Sequence, residues 1–138
     1  MISTAKTAKI FVGVDVSKAT LDVYRPDTKE LMKIENSEDA IKSLCSQLEK
    51  KKRQVMVVME GTGGYEYLLL RALASHKLDA AVINPRRVRD FAKGIGLDAK
   101  TDPIDAKVIS RYAEVVKPKP MATKSDHELK HSAQTIVG

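Results

Sequence analysis

The chain reads as an α/β domain, a mixed sheet with helices on both faces. Three observations predict it. The opening segment alternates apolar and polar residues across short runs separated by turn residues, as an antiparallel meander does. Two later runs, Val55 to Met59 and Asp79 to Ile83, are short and apolar, which suits strands covered on both faces. Between and after them come stretches of helical spacing, so the order is β-β-β-α-β-α-β-α-α, with the later strands entering by crossover.

The elements follow in chain order. Lys9 to Val16 (KIFVGVDV) is rich in β-branched and aromatic residues and flanked by polar ones, a first strand. Thr20 to Arg25 alternates as a second strand, and Pro26 and Asp27 turn the chain into a third, Glu30 to Glu35. Asn36-Ser37-Glu38 is a helix-start signal, after which Ile41, Leu44, Cys45 and Leu48 recur at helical spacing until the basic run Lys50 to Arg53. A second helix is expected over about Tyr65 to Ser75, and a third opens at Pro85. Gly94 to Lys100 is a glycine-punctuated loop, and Asp102-Pro103 is expected to start a fourth helix that runs to about Val116, where Pro118 and Pro120 stop it. Residues 119–138 read as a linker and the first part of a truncated helical segment, leaving residues 1–118 as the domain.

At 138 residues there is room for one domain with a sizeable core. The 24 Lys and Arg exceed the 18 Asp and Glu, giving a net charge of +6 and a pI near 9.4, a balance that favours a polyanionic partner. One cysteine, Cys45, excludes an intramolecular disulfide and fits a small core residue. No apolar run approaches the roughly 18 residues that span a bilayer, and the polar start MISTAKTAK has no signal-peptide core, so the cytoplasm is the expected location.

Four acids carry the chemistry. Asp15 in FVGVDVSK and Glu60 in VVMEGTGGY each close an apolar strand, which places a carboxylate where a sheet meets solvent. Asp102 and Asp105 in AKTDPIDAK lie three residues apart, on one face of the expected helix start. Taken alone, that pair reads as helix capping ahead of catalysis. Gathered together, four carboxylates repel one another unless a cation holds them, and hard oxygen ligands suit Mg²⁺ or Mn²⁺. Two such ions roughly 4 Å apart can clamp a phosphodiester.

Other features weigh less. GTGGY lacks the Lys-Ser/Thr ending of a phosphate loop, so its glycines read as the turn that leaves Glu60 exposed. His127 and His131 read as a solvated face, and with His76 they share no motif with the acids. Arg86, Arg87, Arg89 and Lys93 form a cationic patch, with Lys100 and Lys107 flanking the last two acids. Tyr65, Tyr67, Phe91 and Tyr112 are available for stacking on bases.

The wording around these residues is specific. GVDVSK, MEGTGGYE and INPRRVRDFAKGIGLDAKTDPIDAKVISRYAE closely resemble the amino-terminal domain of insertion-sequence transposases that carry an Asp-Glu-Asp-Asp (DEDD) site, the group that includes the pilin-gene invertase. The resemblance covers about residues 9–117. It implies a ribonuclease H-like fold similar to the RuvC resolvase, which is also the element order above. It further implies that Asp15, Glu60, Asp102 and Asp105 are the catalytic, metal-binding set of a DNA transposase or site-specific recombinase acting on phosphodiester bonds. DNA is then the partner, with a structured guide RNA in some members and a homo-oligomer in the full-length protein. Members continue into a second domain with a serine nucleophile, beyond the end of this chain. Two other readings stand beside it: a non-catalytic DNA- or RNA-binding assembly module, and a fragment of an actin-like or sugar-kinase ATPase, for which no second phosphate loop is visible.

Overall fold

The computed structural model describes residues 9–51, 54–98 and 104–121. The first strands are β1 (Ile10–Val16), β2 (Thr20–Arg25) and β3 (Glu30–Glu35), followed by helix α1 (Glu38–Leu48) and a 3-10 turn over Glu49–Lys51. Strand β4 (Val55–Glu60), helix α2 (Tyr67–Ser75), strand β5 (Asp79–Ile83) and helices α3 (Pro85–Gly94) and α4 (Ala106–Val116) complete it. The sheet order is β3-β2-β1-β4-β5. Its first three strands pair antiparallel, as the turn residues between them require, and β4 and β5 join parallel through helical crossovers.

Strand alternation sorts the core into two layers. Val12 and Val14 of β1 and Val55, Val57 and Met59 of β4 point to one face, where they meet Ile41, Leu44, Cys45 and Leu48 of α1 and Leu69 and Leu73 of α2. The intervening residues Phe11, Met56 and Val58 point to the other face and meet Val88 and Ala92 of α3 and Ile109, Tyr112 and Ala113 of α4. Helices therefore cover both faces, as expected, and Cys45 is a buried core residue.

Two helix starts differ from expectation. Helix α2 begins at Tyr67 rather than Tyr65, because Glu66 is engaged by the preceding loop. Helix α4 begins at Ala106 with Asp105 as its N-cap, so Asp105 caps the helix rather than lying within its first turn. Asp105 has the extended backbone of a cap (φ −116°, ψ −178°), and its carboxylate accepts from the Val108 amide at 2.9 Å. Asp102 itself lies outside the described residues.

Helix α4 sits unusually close to the sheet. A Cβ built at Gly13 would overlap the Ala106 carbonyl oxygen and stand 2.7 Å from the Ser110 amide nitrogen, so the helix backbone occupies the space a side chain would need. Ser110, buried, donates its hydroxyl to the Phe11 carbonyl of β1 at 2.7 Å and fastens the contact. Gly13→Ala is therefore expected to destabilise the domain by on the order of 3 kcal/mol through overpacking against backbone that cannot rotate away. Ser110→Ala should cost less, about 1–2 kcal/mol, by leaving one buried carbonyl unpaired. Chemical denaturation of the two variants checks the order, and equal midpoints for Gly13→Ala and the parent chain would refute it.

Candidate metal centre and nucleic-acid interface

Asp15, Glu60 and Asp105 come to one edge of the sheet, on the α4 face. Phe11, Gly13 and Asp15 alternate onto that face of β1, and Met56, Val58 and Glu60 onto that face of β4. The parallel register pairs Val14 with Met59, so the next step sets Asp15 beside Glu60 at the carboxyl ends of two adjacent parallel strands. Those strand ends are where open α/β sheets bind ligands. Asp105 enters from above, as the N-cap of the helix that Gly13 admits.

Asp15 interacts electrostatically with both Asp105 and Glu60. Burial pushes the Asp15 carboxyl above its ordinary value, the charges of Asp22 and Asp105 push it further, and Lys33 partly offsets them. Burial likewise pushes Glu60 up, Asp15 adds to that, and Arg89 of α3 works against it. Glu60 is half-buried rather than exposed, because the β4–β5 ladder continues past it through the Gly61 amide to the Ile83 carbonyl at 3.3 Å. Its Oε2 is buried and has no hydrogen-bond partner among the described residues. A buried orphan acceptor beside a second desolvated carboxylate fits a hard divalent cation. Among the described residues, no group of three or more His, Cys, Asp or Glu side chains is arranged to hold a metal ion.

Two side chains hold the loops around these acids. Glu66, buried, accepts from the Thr62 amide (3.1 Å), the Gly64 amide (3.2 Å) and the Thr62 hydroxyl. Burial works against its charge, but the hydrogen bond from the Thr62 hydroxyl and those from the loop amides prevail and hold its carboxyl below the usual range. The loop can fold around Glu66 because Gly63 and Gly64 take positive φ, 84° and 145°. Asn36, expected only as part of a helix start, leaves the capping of α1 to Ser37. Its amide instead donates to the carbonyls of Ser17 (2.9 Å) and Tyr65 (3.1 Å), tying the turn after Asp15 to the loop after Glu60.

Of the cations, Arg86, Arg87, Arg89 and Lys93 are exposed on α3, which buries Val88 and Ala92 and starts from an Asn84 cap and Pro85. Lys107 is exposed on the first turn of α4, its ammonium 6.0 Å from the centre of the Tyr24 ring. Lys100 lies outside the described residues, as do His127 and His131. His76 ends α2 and contacts Glu49 at 2.9 Å, away from the acids. The aromatic expectation is corrected in part: Phe91 and Tyr112 pack edge-to-face on each other, centroids 5.6 Å apart, and Tyr112 is buried. They serve the second core layer, and only Tyr65 and Tyr67 of the four are exposed.

Gly13, Asp22 and Ser110 escaped the sequence reading. Asp22 faces Asp15 directly across the β1–β2 pair, and alternation within the second strand already put it on that face, but only the register shows which acid it opposes.

Comparison with known proteins agrees with this architecture. RuvC from T. thermophilus superposes with a TM-score of 0.56 in its complex with a Holliday junction substrate, at 16% identity, over 82% of this chain and 99% of that one. A second Thermus thermophilus RuvC structure gives 0.52 at 15% identity, over 81% of this chain and 99% of that one. The fold is thus the RuvC-like, ribonuclease H-like fold. The pilin gene-inverting proteins of Moraxella lacunata and Moraxella bovis are each 27% identical over 131 residues, 91% of this chain. The chain spans 41% of the length of these relatives. The IS110-type DEDD family model, described as Transposase, matches residues 12–134, well over half of the sequence, and the chain accordingly belongs to the DEDD transposase family.

Proposed function

We propose that this chain is the metal-binding catalytic domain of a DNA transposase or recombinase, with Asp15, Glu60, Asp102 and Asp105 as its acidic set and Mg²⁺ or Mn²⁺ as its cofactor. The observation that carries the reading is the buried Oε2 of Glu60, without a hydrogen-bond partner among the described residues, beside Asp15, two carboxylates that are desolvated and repel each other at the ends of adjacent parallel strands. A bound divalent cation would supply Lewis acidity toward a phosphodiester. The chain's own contribution is to hold the oxygen donors. Asp15 and Glu60 are fixed by the sheet and Asp105 by its helix, and Asp102, three residues before Asp105 in the sequence, is proposed as the fourth acid. Arg86, Arg87, Arg89 and Lys93 of α3 and Lys107 of α4 offer exposed charge to the phosphate backbone, and Lys100 is proposed to join them from its place in the sequence between Gly96 and Asp102. Residues 1–118 form the domain in this proposal and 119–138 lead out of it. Self-association and a structured RNA partner are proposed only for a protein of the relatives' length, of which this chain spans 41%.

Mg²⁺ or Mn²⁺ is expected to raise the melting temperature. At a hundredfold excess over Kd the gain is about 2.7 kcal/mol, on the order of ten degrees for a domain of this size. Asp15→Asn should abolish most of that rise in differential scanning fluorimetry, and a melting curve indifferent to both metals in the parent chain would count decisively against the site.

The pH dependence has opposite signs with and without metal. In the metal-free chain, Asp15 and Glu60 titrate above their ordinary values of 3.8 and 4.5. Their contribution to stability is therefore fully present below those values and lost as the pH rises through the raised ones. Glu60→Gln should accordingly raise the metal-free melting temperature at neutral pH by a few degrees. The metal-induced rise runs the other way, since protons compete for the same oxygens, and should be smaller at about pH 5 than at about pH 7.5. Paired melting curves at the two pH values, with metal and with chelator, read both signs.

A further inference from the structure

The acids are flanked by cations on two sides, and only one side is explained by the basic helix. The antiparallel registers place Lys33 of β3 opposite Asp22 of β2, and Asp22 opposite Asp15 of β1. Directly paired residues share a face, so Lys33, Asp22, Asp15 and then Glu60 form one row across four strands on the α4 side. Lys33 Nζ lies 2.7 Å from Asp22 Oδ1, yet its side chain is 64% exposed. An ammonium has three donors, and this contact occupies one of them, leaving the others toward solvent. Lys107, on the first turn of α4, covers the ring of Tyr24, and Tyr24 faces Gly13 across the same β1–β2 pair. Among the described residues Lys107 has no ion pair. Two anchored cations thus stand on the β2–β3 side of the acids, and α3 with Arg86, Arg87 and Arg89 covers the β5 side.

We infer that Lys33 and Lys107 form a second phosphodiester-binding seat, so that a DNA backbone crosses the sheet edge over the acids, from the basic face of α3 to β3. The inference rests on the proposed nucleic-acid role of the acid site and extends it to a strand that role does not use. Asp22 is a positioning residue here: it holds the lysine side chain over the sheet edge, where an unanchored one would pay rotamer entropy on binding. The charge of Lys33 also reaches Asp15, which accords with its place at the site. The overall charge of +6 supplies general attraction, but only anchored cations give a path.

The test is the salt dependence of binding to a labelled linear DNA duplex, measured by fluorescence anisotropy at fixed metal from about 50 to about 200 mM salt. Removing one phosphate contact lowers the slope of log K against log salt by about 0.9. Lys33→Gln and Lys107→Gln should each lower it by about that amount, and Lys33→Arg should restore it. Lys42→Gln, on the exposed side of α1 on the opposite face, should leave the slope unchanged and so controls for net charge. Melting curves on the same samples check that each variant is folded. A Lys33→Gln slope equal to that of Lys42→Gln, with Arg86→Gln still lowering it, would overturn the seat and leave the α3 interface standing. Absence of salt-dependent binding by the parent chain would overturn the nucleic-acid reading and the seat together.

Discussion

Helix α4 lies on strand β1 with backbone against backbone, because position 13 carries no side chain and Ser110 reaches across to the Phe11 carbonyl. Much else depends on that contact. It closes the second core layer, letting Ile109, Tyr112 and Ala113 fill the space over Phe11, Met56 and Val58. It also sets the height of the helix start above the sheet, and with it the position of Asp105 relative to Asp15. A helix held one side chain further away would still cap itself, but its N-terminal carboxylate would stand too far out to act on the strand acids.

The site assembled in this way is under electrostatic tension. Asp15 and Glu60 lose solvent and gain like-charged neighbours at once, and the charges that oppose this, Lys33 and Arg89, act from the flanks. Such an arrangement persists when the surrounding structure over-determines it. Here the apolar interior of β1 and β4 fixes the strand ends, Glu66 gathers the following loop amides, and Asn36 ties that loop to the turn after Asp15. Under the proposed function, a divalent cation would relieve that tension.

Much of the fold was legible residue by residue. Alternation located β2 and β3, apolar runs located β4 and β5, and the Ile41, Leu44, Cys45, Leu48 spacing gave the buried face of α1. The misreadings share a cause: one residue satisfied two local rules and tertiary contacts chose between them. Asp105 was read within the first turn of a helix, and its side chain instead caps α4. Phe91 and Tyr112 suited base stacking as well as core packing, and the core took them, since burying two rings against each other removes more apolar surface from water.

The sequence by itself determined the element order, the two strand-end acids, the basic face of α3 and membership of the DEDD transposase family, because period, capping and motif are properties of neighbouring residues. Tertiary structure alone decided that Asp22 opposes Asp15, that Lys33 continues the row, that Gly13 is the seat of α4, and that Glu60 keeps one oxygen buried without a partner among the described residues. These depend on strand register and on the distance between a helix and a sheet. Register and interlayer distance are set by packing between residues far apart in the chain, as with Gly13 and Ser110.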